Sequence, residues 1–315
     1  MGIPLNVLVY TREASAAYRA RLLDSDDVQY MFCESQSEVS ARIEDADVIL
    51  GGVNFPSQLL AQAGRLRWIQ VTGAGVDAFL SQAILPDGVM LTRADVSFGD
   101  QIAEYVIGHL LAWTQRLREV HKLQDARQWK PLAVEFLKGR TMGIAGTGSI
   151  GRVVAGRAYG MGMRTVGLSR TAQQLAECDV CYGPGQLPDF LSDLDVLVVC
   201  LPLTPQTQGL LGREEFALMQ QSPILVNTAR GAIVDELALI DALRDHTISG
   251  AILDVFAEEP LPTTSPLWTM DNVTITSHHS GLNIPNEVID YFLGNLSRYR
   301  TGKSLQGLVD LKRGY

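Results

Sequence analysis

The segment 141–160 constrains the fold of this chain more than any other. The apolar run TMGIA passes directly into GTGSIG (146–151) and then into the helical stretch RVVAGRAYG. A strand that runs through a glycine turn into a helix opens a parallel, helix-covered sheet. Gly146 permits the tight turn, Gly148 lets the backbone approach a ligand, and Gly151 lets the helix pack on the strand. Thr147, Ser149 and Ile150 complete the turn at a helix N-terminus, whose N–H donors and positive dipole end suit a pyrophosphate.

Strand-length apolar runs recur on either side of this unit. NVLVY (6–10), DVILGG (47–52) and RWIQV (67–71) precede a long helical stretch, about 101–127, in which Ala103, Val106, Ile107, Leu110 and Leu111 recur at helical spacing. MGIAG, RTVGL, DVLVVC, PILVN, GAILDV and NVTIT follow. These six signals predict an α/β chain of two Rossmann-like domains, a six-stranded parallel dinucleotide-binding domain and a smaller flavodoxin-like substrate domain. The expected boundaries are 1–98 plus 284–315 for the substrate domain and 99–283 for the dinucleotide-binding domain. The last 30 residues carry a further amphipathic helix.

A length of 315 residues suits two domains with real cores, and 46% apolar with 19% charged residues is ordinary globular composition. The net charge of −9, with no Lys/Arg run to offset it, argues against a duplex nucleic-acid binder. The start, MGIPLNVLVYTREAS, has no basic region before its apolar stretch, and no segment has the roughly 18 apolar residues of a membrane helix. Four cysteines make no disulfide framework, so a cytoplasmic protein is expected. Cys178 and Cys181 spell C-x-x-C, but alternation along a strand would point them to opposite faces, and a structural role is expected. His109, His121 and His246 show no metal-ligand spacing, and no metal is expected.

About 20 residues past the glycine turn, a carboxylate would bind the ribose hydroxyls and reject a 2′-phosphate. Here Ser169, Arg170 and Thr171 hold that corner, so a cation and two hydroxyls face the position of a 2′-phosphate. This favours NADP(H), with NAD(H) still possible. Ligands of open parallel sheets bind beyond the carboxyl ends of the strands. Thr228, Ala229, Arg230 and Gly231 follow PILVN; Asp254, Glu258 and Glu259 follow GAIL; Ser277, His278 and His279 follow NVTIT. An Arg, a carboxylate and a His beside a dinucleotide suggest hydride transfer to a carbonyl compound that bears a carboxylate.

From VTGAGVD (71–77) through QIAEYVIGHLL, GIAGTGSIGR, CLPLTPQTQGLLG, VNTARGAIVDE, LDVFAEEPLP and VTITSHHSG to the terminal VDLKRGY, the chain resembles the D-isomer-specific 2-hydroxyacid dehydrogenases, most of all their glyoxylate/hydroxypyruvate reductase branch. The resemblance implies that Arg230 is the catalytic arginine, Glu259 the acid and His278 the proton donor. Ser277 stands where the family has proline, and His279 falls on a variable position. It further implies cofactor contacts from Leu201, Pro202, Thr207, Thr228, Ala229, Ser280 and His278, with Asp254 on the nicotinamide carboxamide. Substrate contacts would come from Asn54, from backbone N–H groups of Ala74, Gly75 and Val76, and from Arg230 and His278. Phe55 beside Asn54 would add bulk that selects the substrate side chain. Trp129, in QWKPL, matches a residue of a dimer arm, and a homodimer through 101–138 is expected.

The chemistry calls for the same residue types. A planar guanidinium can hold both the carboxylate and the carbonyl of a 2-oxo acid, and a protonated imidazole can neutralise the oxygen as hydride arrives. A carboxylate beside the imidazole favours its charged form. The expected activity is reduction of a small 2-oxo acid such as glyoxylate or hydroxypyruvate. The alternatives are the same chemistry on a bulkier branched or aromatic 2-oxo acid, or a non-enzymatic nucleotide-sensing protein like the corepressors of this fold.

Overall fold

A computed structural model describes residues 4–11, 15–81 and 85–315. The chain divides into two compact units, 1–98 with 283–315, and 99–282. Among the described residues the first unit contains five strands: β1 (Leu5–Tyr10), β2 (Val28–Cys33), β3 (Val48–Gly51), β4 (Trp68–Val71) and β5 (Met90–Thr92). They form one parallel sheet in the order β2-β1-β3-β4-β5, the flavodoxin-like order. Strands β1, β3 and β4 are apolar and buried almost throughout, as strands covered on both faces must be. One face packs on Ile43, Leu60 and Phe79, and the other on Tyr18 and on the C-terminal helix Pro285–Arg300 through Val288, Ile289, Phe292 and Leu296. The Trp68 indole stacks between Phe292 and Tyr299 with centroids 5.4 and 5.6 Å away, which fixes that helix to its sheet.

The second unit contains β6 (Thr141–Ala145), β7 (Arg164–Leu168), β8 (Val180–Tyr182), β9 (Val196–Val199), β10 (Ile224–Asn227), β11 (Gly250–Leu253) and β12 (Val273–Ile275). The parallel sheet runs β12-β11-β10-β9-β6-β7-β8, so its strand order reverses between β6 and β9. That reversal is where ligands bind in sheets of this kind.

Three sequence expectations need correction. The sheet has seven strands, not six, because CDVCY supplies β8. This edge strand is three residues long and only half-buried, so it leaves little apolar signal. The helical stretch 101–127 is two helices, Phe98–Thr114 and Leu117–Asp125, broken where Arg116 takes a left-handed conformation at φ 54°. Cys178 and Cys181 do not face apart. A Cβ on Gly167 would lie 3.2 Å from one sulfur and 3.6 Å from the other, because Cys178 lies outside β8, ahead of a bend at Asp179, where strand alternation does not apply. Both are free thiols.

Among the described residues, no helix is long and apolar enough to cross a membrane.

Candidate active site

The glycine turn follows β6 and ends at the helix Ser149–Gly160, whose N-cap, Gly148, gives no side-chain cap to the first turn. Gly146 has φ 100°, and a Cβ there would lie 2.6 Å from the Cys200 carbonyl oxygen. A Cβ on Gly151 would lie 2.0 Å from the Gly146 oxygen. At Gly148 a Cβ would meet nothing within 4 Å. The turn is therefore closed on its protein side and open at its middle glycine, beside uncapped helix N–H groups. A pyrophosphate needs such a cradle.

Ser169, Arg170 and Thr171 follow the carboxyl end of β7, with Arg170 and Thr171 exposed and Ser169 tied by its N–H to Tyr182 O at 3.0 Å. Leu201, Pro202 and Thr207 belong to the loop after β9. There the Thr207 hydroxyl donates to Pro202 O at 2.6 Å and accepts the Thr204 N–H at 2.8 Å, which shapes the loop from within. The Thr228 hydroxyl reaches Val199 O at 3.3 Å, and the Ala229 N–H donates to Asn227 Oδ1 at 3.1 Å.

Arg230 follows β10 and is half-buried, with Nη1 donating to Ala229 O at 2.7 Å. The next residue interlocks two loops. A Cβ on Gly231 would lie 1.9 Å from the Phe256 carbonyl carbon, so only glycine lets the arginine loop lie against the segment 255–259. In that segment Glu259 Oε1 accepts the Phe256 N–H at 3.0 Å, and Oε2 stands 2.8 Å from His278 Nδ1. With the Glu fixed on its own loop and the imidazole held at Nδ1, Nε2 is left for chemistry. Side-chain exposures of 47% for His278 and 36% for Glu259 leave the pair open to a small molecule.

His278 itself sits at φ 54°, a conformation that costs an L-residue about 1–2 kcal/mol. Its surroundings hold it there. Its N–H donates to Asp254 O at 2.9 Å, and the fully buried Asp254 carboxylate anchors the rest of the loop. Oδ1 accepts the Thr276 hydroxyl at 2.6 Å and the His279 N–H at 2.9 Å, and Oδ2 accepts the Ser280 N–H at 2.9 Å. Burial alone would raise the Asp254 pKa, but bonds from the Ser280 and Thr276 side chains and from the Ser280 and His279 N–H groups outweigh it. The carboxyl is held below its usual range.

Two members of this cluster, Thr276 and Tyr105, escape the sequence reading. Tyr105, on the helix Phe98–Thr114, places its hydroxyl 2.7 Å from Thr276 Oγ1. Both lie in segments that carry the resemblance, QIAEYVIGHLL and VTITSHHSG, but nothing in either segment pairs them or gives them a role.

Of the positions expected to face the substrate, four lie in the first unit. Asn54 is exposed in the loop after β3, and Ala74, Gly75 and Val76 lie between β4 and the helix Asp77–Ser81. The expectation for Phe55 is corrected. Its ring is 5% exposed, stacked on Phe79 at 5.8 Å and edge-on to Tyr10 at 5.7 Å, so it supports the loop from beneath. Trp129 is fully exposed, in a stretch without regular structure.

Comparison with known proteins places the chain among described relatives. The profile of the "D-isomer specific 2-hydroxyacid dehydrogenase, NAD binding domain" matches residues 107–280. A glyoxylate/hydroxypyruvate reductase A of Photorhabdus laumondii is 38% identical over 266 residues, covering 82% of this chain and 85% of that protein. The structure of a D-isomer specific 2-hydroxyacid dehydrogenase family protein from Aeromonas salmonicida superposes with a TM-score of 0.89 at 34% identity, over 98% of this chain and all of the other. An NADPH-dependent glyoxylate/hydroxypyruvate reductase from Sinorhizobium meliloti, solved with NADP and sulfate, superposes with a TM-score of 0.89 at 27% identity, over 99% and 100% of the two chains. The profile spans more than half of the chain and the relatives match over most of its length, and the chain belongs to the D-isomer specific 2-hydroxyacid dehydrogenase family of oxidoreductases.

Proposed function

We propose that the protein reduces a small 2-oxo acid of the glyoxylate or hydroxypyruvate type to the D-2-hydroxy acid, with NADPH preferred over NADH. The observation that carries the reading is the His278–Glu259 pair at 2.8 Å, on a loop interlocked with the one that bears Arg230. Relatives named as glyoxylate/hydroxypyruvate reductases support the substrate class.

A bound nicotinamide dinucleotide would supply the hydride, and the glycine turn 146–151 with Ser169, Arg170 and Thr171 would hold its phosphates. The Arg230 guanidinium grips the carboxylate and carbonyl of the 2-oxo acid. His278 Nε2 donates its proton to the carbonyl oxygen as charge develops there. Glu259, 2.8 Å from Nδ1, orients the ring so that Nε2 is presented to the substrate. Asp254 acts through the His278 loop as well as at the cofactor end of the site. The exposed Trp129 arm and the helices before it form a homodimer contact.

NADPH oxidation with a panel of 2-oxo acids tests the activity, and His278→Ala should lower kcat at least about a hundredfold while His279→Ala changes it little. Turnover of bulky aromatic 2-oxo acids alone, or none at all, would overturn the substrate assignment. Arg170→Ala should cut the NADPH preference about ten- to a hundredfold, the value of one charge-assisted contact. An unchanged preference would place 2′-phosphate recognition elsewhere.

A further inference from the structure

We infer that Tyr105 is a positioning residue for the proton donor, acting through Thr276 and Asp254 to hold the backbone of His278 in its left-handed conformation; the inference rests on the assignment of His278 as the acid.

The direction of each hydrogen bond follows from elimination. A carboxyl held in its ionised form only accepts, so the Thr276 hydroxyl must spend its single proton on Asp254 Oδ1 at 2.6 Å. The remaining contact of Thr276, at 2.7 Å, must then be donated by the Tyr105 hydroxyl. Burial pushes the Tyr105 phenol pKa well above its usual value, so that proton stays in place across the working range. The chain Tyr105 to Thr276 to Asp254 is thus a one-way run of donors that ends on a buried charge.

Its geometry brackets His278. Thr276 lies two residues before the histidine and is held by the Tyr105 hydroxyl. His279 lies one residue after it, and its ring meets the Tyr105 ring edge-on with centroids 6.0 Å apart at 75°. The His279 N–H and the Thr276 hydroxyl both end on Asp254 Oδ1. One side chain from the helix Phe98–Thr114 therefore ties down the hydroxyl two residues before the residue at φ 54°. Ser277 makes such bracing necessary, since serine leaves φ free where proline would fix it.

The test is kinetic and includes a background in which positioning has nothing to act upon. Tyr105→Phe keeps the ring and removes only the donor. In the holoenzyme it should lower kcat about ten- to a hundredfold, the scale of a misplaced catalytic group, while the NADPH dissociation constant, read by fluorescence, stays within about twofold. Thr276→Val should do the same, and the double variant should be no slower than either single one. In a His278→Ala background Tyr105→Phe should have no further effect. A parental kcat in Tyr105→Phe, or an equal loss in both backgrounds, would overturn the positioning role. Parental activity of His278→Ala itself would instead overturn the assignment of the acid, and the inference with it.

Discussion

In the first unit Gln70, Thr92 and Asn295 are fully buried; in the second Asp254 is equally buried, and the two polar clusters are built differently. The first is neutral and closes on itself. The Trp68 indole N–H donates to Thr92 Oγ1 at 2.8 Å, Thr92 reaches Gln70 Oε1 at 2.9 Å, and Asn295 Nδ2 donates to that same oxygen at 3.0 Å. Asn295 also exchanges bonds with the Gln306 backbone, at 2.8 Å to the N–H and 3.0 Å to the carbonyl. Its members sit on β4, β5 and the C-terminal helix, and they fix which way that helix and the tail dock. The second cluster centres on a charge, and its acceptors serve one loop, 276–280. A neutral network tied at both ends to regular elements specifies packing; a charged one gathered on a single loop specifies where a reactive side chain stands.

The sharpest way to break this contrast is Asp254→Ala, which leaves the Thr276 hydroxyl and the His279 and Ser280 N–H groups without their acceptor. Steady-state assays should show kcat lowered more than about a hundredfold, with His278 no longer held opposite Glu259. A kcat near the parental value would mean that the loop keeps its shape unaided.

Asn295→Ala strips partners from Gln70 and Gln306 and should cost about 2–3 kcal/mol in denaturant unfolding, with the kcat of the folded protein unchanged. A loss of kcat at full stability would join the first cluster to the chemistry. The two threonine hubs give a crossed test. Thr92→Val should lower stability by about 1–2 kcal/mol and spare kcat, whereas Thr276→Val should lower kcat more than stability. Equal effects would erase the distinction.

The smallest effect concerns His109, whose ring lies 4.3 Å from that of Tyr105. Burial first, and His279 second, pull its pKa below the ordinary histidine value. As pH falls below about 6.5 the unfolded chain takes up this proton before the folded one, so the folded state loses stability there. His109→Gln should flatten that part of the stability profile, and unfolding midpoints between pH 7.5 and 5.5 read it. A parental slope would assign the loss to other groups.

The parallel α/β architecture and the glycine cradle are legible in the sequence because they depend on local runs: TMGIA into GTGSIG needs no distant partner to be read. The strand ends mark Arg230, the pair Glu258 and Glu259, and the pair His278 and His279 as candidates, and only the family resemblance selects Glu259 and His278 among them. The network around Asp254 is not. Thr276 meets Asp254 across 22 residues and Tyr105 across 171, and nothing in EYVIG or TITSHHS announces the pairing. Phe55 misleads for a related reason: a large ring after a strand end reads as a pocket wall until its packing on Phe79 and Tyr10 is seen.

The contact between Gly231 and Phe256 has a consequence for anyone redesigning this enzyme. Because no side chain fits at position 231, neither the segment after β10 nor the one after β11 can be exchanged alone for a relative's version without risking a collision. The stretch from Thr228 to Pro260 behaves as one cassette, to be transplanted whole.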